Sequence, residues 1–112
     1  MTQPDRSSLT SAALDYDTTI IGALELSERK WVLAVQRPGV KRHTRHVLGA
    51  SGEELAQLIE RLKARYVATG HPITRVILTH EAGREGFWLA RYLVRRGVEV
   101  HVMQIGGGPY GT

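Results

Sequence analysis

The stretch from Arg75 to Trp88, RVILTHEAGREGFW, constrains the fold more than any other part of the chain. Arg75 to Thr79 is a short, branched apolar run, the pattern of a strand buried on both faces. It meets His80 and Glu81, then a turn with Gly83 and Gly86, then a helical stripe of Phe87, Trp88, Leu89 and Leu93. A carboxylate thus stands where a buried strand passes into the loop before a helix. In open α/β sheets the carboxyl ends of the strands are where ligands bind. The simpler account is that Glu81 offsets the positive end of that helix, an effect of roughly 0.3–1 kcal/mol.

A chain of 112 residues makes one small domain, and 42% apolar content is enough for a core. The absence of cysteine excludes a disulfide framework, a thiolate nucleophile and thiolate metal sites, and fits a reducing cytoplasm. No run reaches the roughly 20 apolar residues of a membrane span, and the polar N-terminus does not read as a signal peptide. The net charge of +4 leans towards a polyanionic partner such as nucleic acid.

Residues 1–16 are polar and rich in Ser and Thr, and read as a mobile tail. Residues 17–105 carry the periodic segments, and residues 106–112 form a glycine-rich tail. Thr18 to Leu26 is almost continuously apolar, which predicts a central strand covered on both sides, with Gly22 as a tolerated weak point. Glu25 is the anomaly in it. A carboxylate there must be solvated at the strand end, paired, or coordinating a cation. Trp31 to Val35 predicts a second strand, and Pro38-Gly39 suits the central positions of a type II turn.

The segment from Lys41 to His46 is polar on both faces and predicts an edge strand, since edge charges block unwanted pairing. The functional alternative is a phosphate-facing strip of Lys41, Arg42 and Arg45, joined by Arg84 from the loop after Glu81. Ser51 and Glu54 form a capping box ahead of an apolar helical stripe at Leu55, Leu58, Ile59, Leu62 and Tyr66, which Gly70 and Pro72 end. A second helix is predicted from about Glu85 to Arg96, stopped by Gly97. Val98, Val100 and Val102 then alternate with Glu99, His101 and Met103 as a last strand.

The element order is therefore strand, strand, strand, helix, strand, helix, strand. Three leading strands form an antiparallel meander, and the helical crossovers make the fourth and fifth strands parallel to the first. This is an α/β chain with a mixed five-stranded sheet, the arrangement of the ribonuclease H-like fold. In that arrangement the first and fourth strands are neighbours, so Glu25 and Glu81 converge as candidate ligands for Mg²⁺ or Mn²⁺. The five histidines show no metal-ligand spacing, and His80 is the one beside the proposed site.

The segment from Glu81 to Arg91, EAG-x-x-GFW-L-x-R, with Leu93, Gly97, Val98 and Val100, resembles the DEDD-type insertion-sequence transposases, whose N-terminal domain is resolvase-like. Ala23-Leu-Glu25-Leu-Ser27 and Trp31 to Val35 resemble the start of that domain, so the resemblance runs from Thr18 to Gln104. It implies a ribonuclease H-like domain whose four acids bind divalent metal and act on DNA during transposition, in some members guided by a structured RNA. Glu25 corresponds to the first acid, usually aspartate, and Glu81 to the second. The third and fourth acids have no counterpart, because no Asp or Glu follows Glu99, and the serine-bearing domain of the family is absent. Two-metal chemistry needs ligands holding both ions about 3.5–4 Å apart. The chain thus reads as a fragment that folds but lacks efficient catalysis. The alternatives are a basic nucleic-acid-binding module without chemistry and a fragment that self-associates. Apolar residues surround much of the second helix, so Trp88, Tyr92, Val94 and the last strand are expected to stay exposed and to favour a two-fold dimer. The counter-case is cover by the stems of Arg91 and Arg95.

Overall fold

The computed structural model describes residues 17–37, 42–83 and 85–103. The elements are β1 (Thr19–Leu26), β2 (Lys30–Gln36), β3 (His43–Gly49), α1 (Gly52–Ala68), β4 (Arg75–Glu81), α2 (Gly86–Val94) and β5 (Glu99–Met103). They follow the order expected from the hydrophobic pattern. The strands form one mixed sheet in the order β3-β2-β1-β4-β5. β1, β2 and β3 pair antiparallel as a meander, and β4 joins β1, and β5 joins β4, in parallel. The polar strand β3 lies at an edge of the sheet. The expected tails and the Pro38-Gly39 turn lie outside the described residues, although Arg37 and Arg42 close the hairpin from its flanks with an N–H to carbonyl bond of 3.0 Å.

Alternation decides which side chains enter the core. Ile20, Leu24, Trp31, Leu33, Val35, Val76 and Leu78 point to one face of the sheet. There they pack in one cluster with Leu55, Leu58, Ile59, Leu62 and Tyr66 of α1 and Leu89 and Leu93 of α2. Both helices therefore lie on the same face. The expectation that β1 and β4 are covered on both sides is corrected: Ala23, Glu25 and Glu81 on the opposite face are exposed. The physical reason is handedness. β3 is parallel to β4 and β5, and the two crossovers travel across the sheet in the same direction. Two right-handed crossovers in one direction put their helices on one side.

Gly22 is more than a tolerated weak point. A Cβ there would stand 2.8 Å from Leu78 Cδ2 and 3.0 Å from Leu33 Cδ1. Glycine is thus what lets β1 sit under large leucines from both neighbouring strands. The cap of α1 also departs from its expected form. The Glu54 N–H donates to Ser51 Oγ at 3.2 Å, but the Glu54 carboxylate accepts from the Gly49 N–H at 3.0 Å rather than from Ser51. The Ser51 N–H is engaged by the Gly49 carbonyl instead.

Each helix ends in a Schellman motif. His71 and Gly70 donate to the carbonyls of Tyr66 and Val67, and Val98 and Gly97 donate to those of Leu93 and Val94. Gly70 and Gly97 hold the positive φ of +93° and +85° that this motif asks for. α2 ends two residues before Arg96, the last three positions to Gly97 being turn. The motif delivers Val98, buried beside Leu93 in the core cluster, to the start of β5.

Candidate functional site

Thr19↔Arg75 to Leu24↔His80 pair in parallel register, so the next position on each strand is Glu25 and Glu81. Both acids share the open face, because they alternate with the buried Leu24 and His80. They line one groove of about 520 Å³ at the carboxyl ends of β1 and β4, together with Thr79, Gly83, Glu85 and Met103. The Ala82 N–H donates to the Met103 carbonyl at 2.9 Å, which carries the β4–β5 ladder past Glu81 and forms one wall. At the other wall the Ser27 hydroxyl donates to the Lys30 carbonyl and closes the β1–β2 turn.

The groove has two carboxylates from strands and a third, Glu85, from the start of α2. Glu85 Oε1 accepts from Trp88 Nε1 at 2.8 Å, so this carboxylate orders an indole as well as lining the groove. Sequence reasoning passed over Glu85. Its spacing of three residues before Trp88, at a helix start, is the signal that finds it. Among the described residues no three His, Cys, Asp or Glu side chains gather closely enough to hold a metal ion. The acid pair offers oxygen ligands suited to one hydrated Mg²⁺, which keeps most of its waters, but not to a pair of ions.

His80 does not face this groove. It is buried on the helix side of β4, with Nδ1 at 2.9 Å from the Glu81 carbonyl and Nε2 without a partner among the described residues. Successive strand residues point to opposite faces, so adjacency in sequence separates His80 from the Glu81 side chain.

The basic residues divide. Lys41 and Arg84 lie outside the described residues. Arg42 is exposed just ahead of β3, and Arg45 is exposed on the open face, opposite Ala34 of β2. Thr44 and His46 point the other way, towards α1, and Thr44 Oγ1 lies 2.9 Å from His46 Nε2. Burial, then the guanidinium charges of Arg65 and Arg61, hold the His46 imidazole below its ordinary value. At the far edge, Arg75 makes a bidentate pair with Glu99 at 2.7 and 2.6 Å. That pair joins β4 to β5, raises the Arg75 guanidinium and lowers the Glu99 carboxyl, each chiefly through the shared hydrogen bonds.

On α2, Phe87, Trp88 and Val94 are exposed. Tyr92 is half-buried. The guanidinium of Arg96 covers its ring at 3.7 Å. Trp88 meets Tyr92 edge-on, with ring centroids 6.1 Å apart. Among the described residues no helix is long and apolar enough to cross a membrane.

The chain is 34% identical over 90 residues to a protein of Sinorhizobium fredii (strain NBRC 101917 / NGR234) named as a candidate transposase, y4rJ. The match takes in 75% of this chain and 22% of that protein, so the chain spans about a fifth of the relative's length. It is thus related to part of a protein that carries a transposase name. No family model matches. Among solved structures, the chain is similar to the Ppx/GppA family member of Aquifex aeolicus, at 14% identity and a TM-score of 0.47, over 78% of this chain and 35% of that one. An exopolyphosphatase from Cytophaga hutchinsonii matches at 12% identity and a TM-score of 0.44, over 76% and 34%. The ethanolamine utilization protein EutJ from Carboxydothermus hydrogenoformans matches at 18% and 0.42, over 74% and 35%.

Proposed function

We propose that the chain is the front part of a DEDD-type transposase, a ribonuclease H-like domain that handles DNA during transposition, with Glu25 and Glu81 as its first two acids. The observation that carries this reading is the register of β1 and β4, which sets the two carboxylates next to each other in one groove at the strand ends. The sheet order, with β1 and β4 parallel at its centre, supports the same fold. The relation to a transposase-named protein supports the function.

In this reading Glu25 and Glu81 hold one hydrated Mg²⁺ or Mn²⁺, which supplies Lewis-acid stabilisation of a phosphodiester when bound. Their own part would be to supply two carboxylates at the sheet end to such an ion. Glu85 braces the groove through Trp88. The partner is DNA, with a structured guide RNA as a second candidate. A two-fold dimer closed over Phe87, Trp88 and Val94 belongs to the same reading, and sedimentation equilibrium at micromolar concentration tests it by the mass found.

The second reading is a basic nucleic-acid-binding module without chemistry. It is favoured by the absence, among the described residues, of a third acid close enough to complete a metal cluster. Calorimetric titration with Mn²⁺ separates the two. Saturable binding that disappears in Glu25→Gln and Glu81→Gln supports the acid pair as ligands. No saturable binding, or equal binding by the E25Q/E81Q double variant, refutes it.

A further inference from the structure

The two helices leave a second groove on their own side of the sheet. It holds about 630 Å³, within the roughly 300–1,000 Å³ of small-ligand sites. Ile59, Leu93 and Val98, all buried, make its apolar part. Glu53, Gln57, Glu60 and Arg61 enter from α1, at the three- and four-residue spacing that puts side chains on one face of a helix. Tyr92 and Arg96 enter from α2, one turn apart. The sheet stands between this groove and the open face that carries Glu25 and Glu81.

Two observations set the groove apart from an ordinary cleft between helices. The first is how Arg96 is held. Its guanidinium lies over the Tyr92 ring at 3.7 Å, and its Nη1 donates to the Tyr92 carbonyl at 3.3 Å. One planar face is thus occupied by the ring, and the other is left for a second planar group. The second observation is that the groove's acids and its guanidiniums do not pair with one another. Among the described residues the ion pairs are Lys63–Glu60 and Arg75–Glu99, and neither joins Glu53 or Glu60 to Arg61 or Arg96. Acceptors and donors therefore stand apart in one groove, with Gln57, an amide that offers both, between Glu53 and Arg61 along the helix. A ligand that satisfies them is planar, with acceptors on one edge and donors on the next. Guanine has this pattern: O6 and N7 accept from an arginine fork, while N1–H and the N2 amino group donate to a carboxylate. A phosphate alone would meet the repulsion of Glu53 and Glu60, and an aliphatic side chain would leave these polar groups without partners.

We infer that the α1–α2 groove receives an unstacked guanine of a single-stranded nucleic acid. The ring lies on the free face of Arg96, O6 and N7 accept from Arg61, and N1–H and the N2 amino group donate to the carboxylates of Glu53 and Glu60. Bases splayed from single strands are recognised in this manner, by stacking on aromatic or guanidinium planes and by hydrogen bonds along their edges. A paired base has its N1–H and N2 edge engaged by its complement, so the groove takes an unpaired one. The inference rests on the chain handling nucleic acid, but not on the pair Glu25 and Glu81 or on any metal.

The test is fluorescence anisotropy of the full chain with labelled single-stranded oligomers of one length. One RNA is all uracil and one carries a single central guanine; the DNA pair is all thymine with and without the same guanine. The guanine oligomer should bind more tightly than its guanine-free partner by about fivefold or more, the lower end for one bidentate base contact. GMP should compete for the difference, and AMP, CMP and UMP should not. Arg96→Lys keeps the charge but loses the planar face, and Glu53→Gln/Glu60→Gln loses the acceptors for N1–H. Each should bring the two oligomers of a pair to equal affinity, with thermal melting confirming that the variant is folded. In the parent chain, where no variant is needed, GMP should shift the Tyr92 ring resonances in NMR. A preference in RNA alone or in DNA alone supports the groove and assigns its source. Equal affinity of the parent for both oligomers of each pair overturns the inference and leaves nucleic-acid binding standing, whereas no binding to any oligomer overturns both. A guanine preference that survives in folded R96K and E53Q/E60Q, or Tyr92 resonances that GMP leaves unmoved, also overturns it.

Discussion

Replacing Gly22 by alanine perturbs the packing that sets Glu25 beside Glu81. The new Cβ would lie 2.8 Å from Leu78 Cδ2 of β4 and 3.0 Å from Leu33 Cδ1 of β2, well inside ordinary contact. Both obstructing atoms are ends of leucine side chains, but those side chains are fully buried and have little room to move. Overpacking of this kind costs about 1–3 kcal/mol. Against it, alanine in a strand recovers about 0.5–1 kcal/mol of the entropy that glycine loses on folding. The net expectation is about 0–2.5 kcal/mol of destabilisation. With a urea m-value of about 2 kcal/mol/M, that is a midpoint lower by up to about 1.2 M. Leu78→Val alone removes a buried methylene and costs about 0.5–1.5 kcal/mol. Because it withdraws the atom that the new methyl group at position 22 would meet, the double variant should be more stable than the sum of the two, with a coupling of at least about 0.5 kcal/mol. Urea unfolding of the four proteins measures this cycle. A stabilising G22A, or strict additivity with L78V, refutes the close approach of β1 and β4 at this level.

Ser51→Ala removes the acceptor for the Glu54 N–H and should cost about 1 kcal/mol, read as a lower urea midpoint with unchanged m. The His46 imidazole is held below 6.5 by burial, then by Arg65 and Arg61, so the folded state binds its proton less readily than the unfolded chain. Its contribution is therefore fully present above that value and is lost as pH falls through the lowered folded value. Thermal melting as a function of pH should show this loss, and His46→Gln should flatten it; an unchanged profile in the variant counts against the placement of His46.

Much of the architecture was determined by sequence alone. The short apolar runs of β1 and β4, the alternation in β5, the 3.6-residue stripe of α1 and the glycines at 70 and 97 determine element type and order, because each is a local rule about one segment. The edge position of β3 was legible too, since a strand polar on both faces has no place at the centre of a sheet. So was the neighbourhood of Glu25 and Glu81, because a meander followed by parallel crossovers leaves β4 only one free side of β1.

Tertiary structure decided what depends on two segments meeting. It assigned both helices to one face, leaving the other side of β1 and β4 open where their apolar runs predicted cover. It turned His80 into the core and Glu81 into the groove, since the pleat sends neighbours to opposite sides. It tied Glu85 to Trp88, sent the Glu54 carboxylate to Gly49, and made Gly22 a point of contact between three strands. The packing of α1 against the sheet is what lets the charges of Arg61 and Arg65 bear on the His46 ring, because Coulomb interaction depends on distance in space and not in sequence.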